Sequence, residues 1–81
     1  MNVLFVCTGN ACRSILSEAL FNHASPVHWR AYSAGSRPAG TVHPATLNAL
    51  SALHIATEGL YSKAITDIGA DIDVVITVCG H

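Results

Sequence analysis

VLFVCTGNACRSILSEAL, residues 3–20, passes from an apolar run through a short polar turn into a helix-like pattern. This order predicts a strand, a tight loop and the start of a helix. A loop placed between a strand and a helix turns several backbone N–H groups toward one point, at the positive end of the helix dipole. The segment therefore predicts a cradle for a tetrahedral oxyanion.

Cys7 lies at the floor of the predicted cradle. The field that holds an anion also stabilises a thiolate, so we expect the pKa of Cys7 to lie below that of a free cysteine. Arg13, six positions later, can grip two oxygens of a phosphate-like ligand with its planar guanidinium. Ser14 can donate a hydrogen bond to the Cys7 sulfur or cap the helix. One loop thus supplies a nucleophile and an anion hole.

The other residues of the loop are small or tolerate unusual backbone angles. Gly9 and Asn10 are expected to adopt positive φ, so that consecutive amides point inward. A cysteine closing a buried strand and a Gly-Asn turn also occur without any site, so the prediction rests on the coincidence of strand, turn, helix and serine. The predicted oxyanion-binding set is Thr8, Gly9, Asn10, Ala11, Cys12, Arg13 and Ser14.

Residues 3–22, VLFVCTGNACRSILSEALFN, resemble the N-terminal segment of the low-molecular-weight protein tyrosine phosphatases and of the arsenate reductases that share their fold. The resemblance continues through YSAGS at 32–36, HPAT at 43–46, GLYSK at 59–63 and DVVITVC at 73–79. It favours the arsenate reductase branch, because Ile15 stands where the phosphatases usually carry proline. The activity that it implies is reduction of arsenate to arsenite.

Cys79 is the residue that distinguishes the two branches. In the arsenate reductases that work with thioredoxin, a cysteine at the end of this strand attacks the first cysteine after it has bonded arsenic, which leaves a disulfide. The resemblance thus implies that Cys7 is the nucleophile and Cys79 the resolving thiol. Cys12 is the competing partner for Cys7, and a buried structural role is the alternative for Cys79.

The resemblance implies arsenate or phosphate as ligand and a thiol reductant, such as thioredoxin or glutaredoxin with glutathione, as partner. No cofactor is expected. The five histidines show no metal-ligand spacing, so no metal is expected either. Tyr61 and Lys63 are expected at the rim of the site, with the lysine solvated.

The chain alternates between strand-like and helix-like segments. We predict strands at 2–6, 28–33 and 73–78, and helices at 13–23 and from about 43. This order predicts one α/β domain over residues 1–81, an open parallel sheet flanked by helices. The resemblance implies the strand order 2-1-3 of a phosphatase-like, Rossmann-type fold. The predicted inward stripes are Leu16, Ala19, Leu20 and His23 on the first helix and Leu47, Leu50 and Leu53 on the second.

Members of the family are markedly longer than 81 residues, and their last strand, closing helix and general-acid aspartate have no counterpart here. We therefore expect the front part of such a domain, either truncated or naturally short, and no aspartate is assigned as the acid. Hydrophobic residues make up 51% and charged residues 11%, an apolar balance for so small a domain. The third strand is expected to be a bare apolar edge that pairs with a second copy of the chain.

Charge and hydropathy exclude some classes of function. The net charge is −1 with four Lys and Arg, so no basic patch predicts nucleic-acid binding. No apolar run approaches the roughly 20 residues that span a bilayer. An odd number of cysteines, one of them activated, predicts reduced thiols and a cytoplasmic setting. The alternatives that stay open are a phosphatase acting through a phosphocysteine and a non-catalytic oxyanion-binding or assembly module.

Overall fold

A three-stranded parallel sheet forms the centre of the chain. The computed structural model describes residues 1–10, 12–25 and 27–78. Its strands are β1 (Asn2–Cys7), β2 (Arg30–Gly35) and β3 (Val74–Thr77), in the order β2-β1-β3. The helices are α1 (Arg13–Ala24), α2 (Pro44–Ala52) and a single 3-10 turn at Ile65–Asp67. The predicted parallel α/β fold and its strand order are confirmed.

The register of the sheet places the end of β1 beside the end of β2. Pairing runs from Asn2 with Arg30 to Cys7 with Gly35. The strand β2 starts and ends two residues later than predicted, because Ala34 and Gly35 continue the pairing with the end of β1. Ligands of open parallel sheets bind at the carboxyl ends of the strands, which is where Cys7 lies.

The core lies between α1 and the sheet. Val3 and Ala31 are buried, and the rings of Phe5 and Phe21 meet edge to face with centroids 5.9 Å apart. The predicted inward stripe of α1 is wrong except at Ala19: Leu20 and His23 are exposed and Leu16 is half-buried, whereas Ser14, Ile15, Glu18 and Ala19 are buried. Two of these inward residues, Ser14 and Glu18, are polar, because they contact polar groups of the loop and of β2. A search for hydrophobic periodicity cannot detect them.

Helix α2 begins as the sequence predicts. His43 is its N-cap, and the Nδ1 of His43 accepts a hydrogen bond from the Ala45 N–H at 3.0 Å, with Pro44 in the first turn. Leu50 is fully buried, but Leu53 lies beyond the last helical residue and is exposed. The prediction of an inward stripe is therefore confirmed at Leu50 and wrong at Leu53.

The strand β3 lies at an edge of the sheet. All four of its residues are exposed, and Val75 is 60% exposed. This confirms the expectation of an apolar edge strand. Among the residues that the model describes, no helix has the length and apolar character needed to cross a bilayer.

Gly35 provides the closest approach between β2 and the loop that follows β1. A Cβ at this position would lie 2.5 Å from the carbonyl oxygen of Thr8 and 3.0 Å from the backbone nitrogen of Asn10. We predict that Gly35→Ala displaces the loop, lowers the free energy of unfolding by about 1–3 kcal/mol and weakens phosphate binding. Urea unfolding and calorimetric titration with phosphate measure the two effects. Gly69→Ala is the control, since nothing lies within 4 Å of a Cβ there; equal stability of the two variants would contradict the prediction.

Candidate active site

The Cys7 sulfur lies at the carboxyl end of β1, in contact with two polar groups. Cys7 is 9% exposed. The backbone N–H of Asn10 donates to its Sγ at 3.2 Å, and the Ser14 Oγ lies 2.9 Å from the same atom. Hydrogen bonds donated to a thiolate favour the charged form over the thiol. The Asn10 N–H, and the Ser14 hydroxyl where it donates, are contacts that favour a thiolate at this sulfur.

Asn10 joins the loop to its surroundings. It is fully buried, with φ at +46°. Its Nδ2 donates to the Ser14 Oγ at 2.8 Å, and its Oδ1 accepts from the Lys63 N–H at 2.7 Å. Gly9, expected to share the left-handed conformation, does not adopt it. Among the described residues of the loop, Asn10 is the left-handed one, and its side chain is held at both of its ends.

The carbonyl oxygens of the loop point toward the segment that follows β2. The Thr8 oxygen accepts from the Arg37 N–H at 2.9 Å, and the Gly9 oxygen accepts from the Ala39 N–H at 2.7 Å. In a planar trans peptide the N–H points opposite to the C=O. The amides of Gly9 and Asn10 are thus turned away from that segment, and the Asn10 amide reaches Cys7. Outward carbonyls and inward amides are the arrangement that an anion cradle needs.

The start of α1 brings three more predicted residues to the loop. Cys12 is the N-cap, makes no side-chain capping bond and is exposed. Arg13 is the first helical residue and is exposed. Ser14 is fully buried and contacts Cys7 rather than capping the helix. A ligand at this helix end would meet the positive dipole and the Arg13 side chain together.

The model thus brings Cys7, Asn10 and Ser14 into mutual contact. Thr8 is exposed, and its carbonyl takes part in holding the loop. Ala11 and Cys79, both predicted site residues, lie outside the described part of the chain. Within residues 1–10, 12–25 and 27–78, no three His, Cys, Asp or Glu side chains converge to hold a metal ion.

Lys63 is buried, so the expectation of a solvated lysine at the rim is wrong. Its side chain is 6% exposed, and its Nζ lies 3.4 Å from the Glu18 Oε1. The Ser33 hydroxyl donates to the same carboxylate at 2.6 Å. Composition favours a surface lysine, and only the fold brings α1 and residue 63 together. Ser62 was also missed, although its hydroxyl donates to the Gly9 oxygen at 3.1 Å.

Comparisons with known proteins show which family and fold this chain shares. The family model for "Low molecular weight phosphotyrosine protein phosphatase" matches residues 2–81. An arsenate reductase of Bacillus cereus is 35% identical over 80 residues, which are 98% of this chain and 59% of that protein. The chain therefore spans less than two thirds of the length of this relative.

Solved structures of two kinds superimpose on the chain. A thioredoxin-dependent arsenate reductase of Corynebacterium glutamicum superimposes with a TM-score of 0.85 and 36% identity, over 99% of this chain and 43% of that one. A low molecular weight protein tyrosine phosphatase of T. tengcongensis superimposes with a TM-score of 0.80 and 32% identity, over 95% of this chain and 57% of that one. Reductases and phosphatases thus share the fold of this chain.

Ser14 tests the contact on the Cys7 sulfur. We predict that Ser14→Ala slows alkylation of Cys7 at neutral pH about tenfold, because a hydrogen bond to a charged group contributes about 1.5 kcal/mol. Iodoacetamide labelling, followed by peptide mass spectrometry, separates Cys7 from the exposed Cys12. Ser17→Ala is the matched control, since the Ser17 hydroxyl donates to the Arg13 carbonyl on the exposed side of α1. An unchanged Cys7 rate in Ser14→Ala would rule out this role for the hydroxyl.

Proposed function

The chain belongs to the low molecular weight phosphotyrosine protein phosphatase family, and from this premise we propose that it acts as an arsenate reductase whose nucleophile is Cys7. The proposal rests on the buried Cys7 sulfur. This sulfur accepts a hydrogen bond from the Asn10 N–H and contacts the Ser14 hydroxyl at the start of α1. A thiolate in this position attacks an oxyanion held by the loop amides. The arsenate reductase names of the relatives from Bacillus cereus and Corynebacterium glutamicum support arsenate as the substrate.

The proposed first step forms a sulfur–arsenic bond. The Cys7 thiolate attacks arsenic, and one arsenate oxygen leaves as water after taking up protons. Arsenic stays in its +5 state at this stage. In this step the predicted oxyanion-binding set, Thr8 through Ser14, holds the charged oxygens, and the Arg13 guanidinium binds two of them.

The proposed second step transfers two electrons. A second thiolate attacks the Cys7 sulfur, the sulfur–arsenic bond breaks, and its electron pair goes to arsenic, which becomes arsenite in the +3 state. Arsenite is released, and the two sulfurs remain in the protein as a disulfide. Cys79 is the proposed resolving thiol, and Cys12, at the N-cap of α1, is the other candidate.

The disulfide requires an external reductant. A thioredoxin, or glutaredoxin with glutathione, returns both sulfurs to thiols and restores the cycle. The relative from Corynebacterium glutamicum is named as thioredoxin-dependent, which supports the first of these. Catalysis by reduced thiols also fits a cytoplasmic setting, where such reductants keep cysteines reduced.

A phosphatase is the second candidate, supported by the superimposed T. tengcongensis phosphatase. The same Cys7 thiolate would form a phosphocysteine that water hydrolyses. The leaving group then needs a proton from a general acid. A third candidate is a non-catalytic oxyanion-binding or assembly module. Its loop would bind an oxyanion, but no reaction would follow.

Substitution of the second thiol separates these functions. We predict that Cys79→Ser abolishes arsenate reduction, and that arsenate treatment of the unsubstituted protein yields a Cys7–Cys79 disulfide on peptide mapping. Cys12→Ser separates the two candidates for the resolving thiol: we expect it to keep reduction, and loss of reduction in Cys12→Ser but not in Cys79→Ser would assign the role to Cys12. A phosphatase would instead hydrolyse p-nitrophenyl phosphate equally well in both variants. A protein that binds phosphate but performs neither reaction would support the binding module and overturn the reductase.

We also propose that β3 pairs with its counterpart in a second copy of the chain. The strand is an exposed, apolar edge of the sheet, and such an edge favours pairing with another strand. We predict a mass in analytical ultracentrifugation that rises with concentration and returns to that of a monomer in Val75→Lys. Val27→Lys is the control, since Val27 is 96% exposed and lies outside the sheet. A monodisperse monomer at all concentrations would exclude this pairing.

A further inference from the structure

A buried charged cluster lies behind the candidate active site. The Lys63 Nζ lies 3.4 Å from the Glu18 Oε1, and the two side chains are 6% and 10% exposed. The same ammonium donates to the Ser33 Oγ at 3.4 Å and to the Tyr61 carbonyl at 3.1 Å. The free energy of removing two opposite charges from water offsets much of their attraction, so stability alone is a weak reason for this pair. A role in placing other groups is the stronger one.

The backbone of Lys63 reaches the nucleophile loop directly. Its N–H donates to the Asn10 Oδ1 at 2.7 Å, and its carbonyl accepts from the Gly35 N–H at 2.9 Å. The preceding residue, Ser62, donates to the Gly9 carbonyl. Two consecutive residues thus hold two consecutive residues of the loop. The Lys63 side chain anchors this segment to α1 and β2.

The Lys63 N–H also sets the direction of the hydrogen bonds that end on Cys7. A backbone N–H can only donate, so the Asn10 atom that faces it must be the amide oxygen. The Asn10 Nδ2 must then face Ser14, to which it donates at 2.8 Å. The Ser14 oxygen accepts that hydrogen bond and lies 2.9 Å from the Cys7 sulfur. A thiolate can only accept, so with Cys7 in its reactive form the Ser14 hydroxyl donates to the sulfur. With Cys7 as the thiolate, the donors of Lys63, Asn10 and Ser14 in this chain of contacts all point toward the sulfur.

We propose that Lys63 is a positioning residue for the Cys7 nucleophile. Its ammonium, anchored on Glu18 and Ser33, keeps the Lys63 N–H on Asn10, and Asn10 in turn directs the Ser14 hydroxyl onto the sulfur. The proposal deepens the proposed function, since it rests on Cys7 being the reactive thiol. On this proposal, the buried Lys63–Glu18 pair supports the reactivity of Cys7 rather than the stability of the fold.

The test compares Lys63→Met with the unsubstituted protein. The rate of Cys7 alkylation is followed across pH by peptide mass spectrometry, while Cys12, exposed in the same loop, serves as an internal reference. The other ionisable side chains of the loop and of α1 beside it, Arg13 and Glu18, are left in place. We expect the Cys7 profile of Lys63→Met to move to higher pH and its neutral-pH rate to fall several-fold, with the Cys12 profile unchanged. A merely structural role would lower the melting temperature and leave the Cys7 profile where it was.

Two further variants control for charge and for folding. Arg30→Met removes a positive charge from the exposed start of β2 and is expected to leave the Cys7 profile unchanged. Lys63→Met leaves Glu18 buried without its cation, so the double variant Glu18→Gln, Lys63→Met removes both charges and recovers stability. We expect the double variant to keep the shifted Cys7 profile. A profile equal to that of the unsubstituted protein would overturn the proposal.

Amine labelling provides a measurement that depends on no variant. Lys63 is the single lysine of the sequence, so acylating reagents report on it and on the N-terminus alone. We expect Lys63 to be protected in the folded protein and to react in urea. Labelling of Lys63 at the rate of the N-terminus would contradict the anchoring. If Cys7 of the unsubstituted protein reacts like a free thiol, the proposed function itself fails, whereas an activated Cys7 that persists in Lys63→Met refutes only the role of Lys63.

Discussion

The buried amide of Asn10 is the interaction on which the site depends. Its backbone N–H contacts the Cys7 sulfur, its Nδ2 contacts Ser14, and its Oδ1 accepts from Lys63. Aspartate would lack the side-chain donor, and most other residues would resist the positive φ. A single side chain therefore fixes both the turn of the loop and the orientation of its hydrogen bonds.

Holding the loop takes partners from two distant parts of the chain, residues 35–39 and residues 62–63. The Arg37 and Ala39 N–H groups bind the loop carbonyls, and Gly35 lets β2 come within contact distance of the loop. Ser62 binds the Gly9 carbonyl as well, and Lys63 binds the Asn10 side chain. Inward amides in this loop are thus a result of tertiary structure. The local sequence alone cannot impose them, because a free Gly-Asn segment samples many conformations.

The strands, the helices and the nucleophile loop could be predicted because their signals are local. The apolar run before Cys7, the Pro44 start of α2 and the apolar segment 74–77 each indicate one element. Strand order came from the resemblance of the sequence to a family. Glu18 and Lys63 could not be placed, because each is an ordinary surface residue by composition and only their meeting across the core explains their burial. The inward face of α1 was misassigned for the same reason, since part of it is polar where it meets the loop.

The strand β1 lies in the middle of the sheet, although it precedes both of its neighbours along the chain. Asn2 pairs with Arg30, and Val3 pairs with Val74, so both pairings close long stretches of chain before they gain any contact energy. Such topologies fold slowly compared with helical bundles. The hydrogen bond from the Lys63 N–H to Asn10, which supports the groups around the Cys7 sulfur, likewise joins residues 53 positions apart. On the proposed function, an unfolded chain would carry an ordinary thiol, and the reactivity of Cys7 would report that the parts of the chain around it had folded.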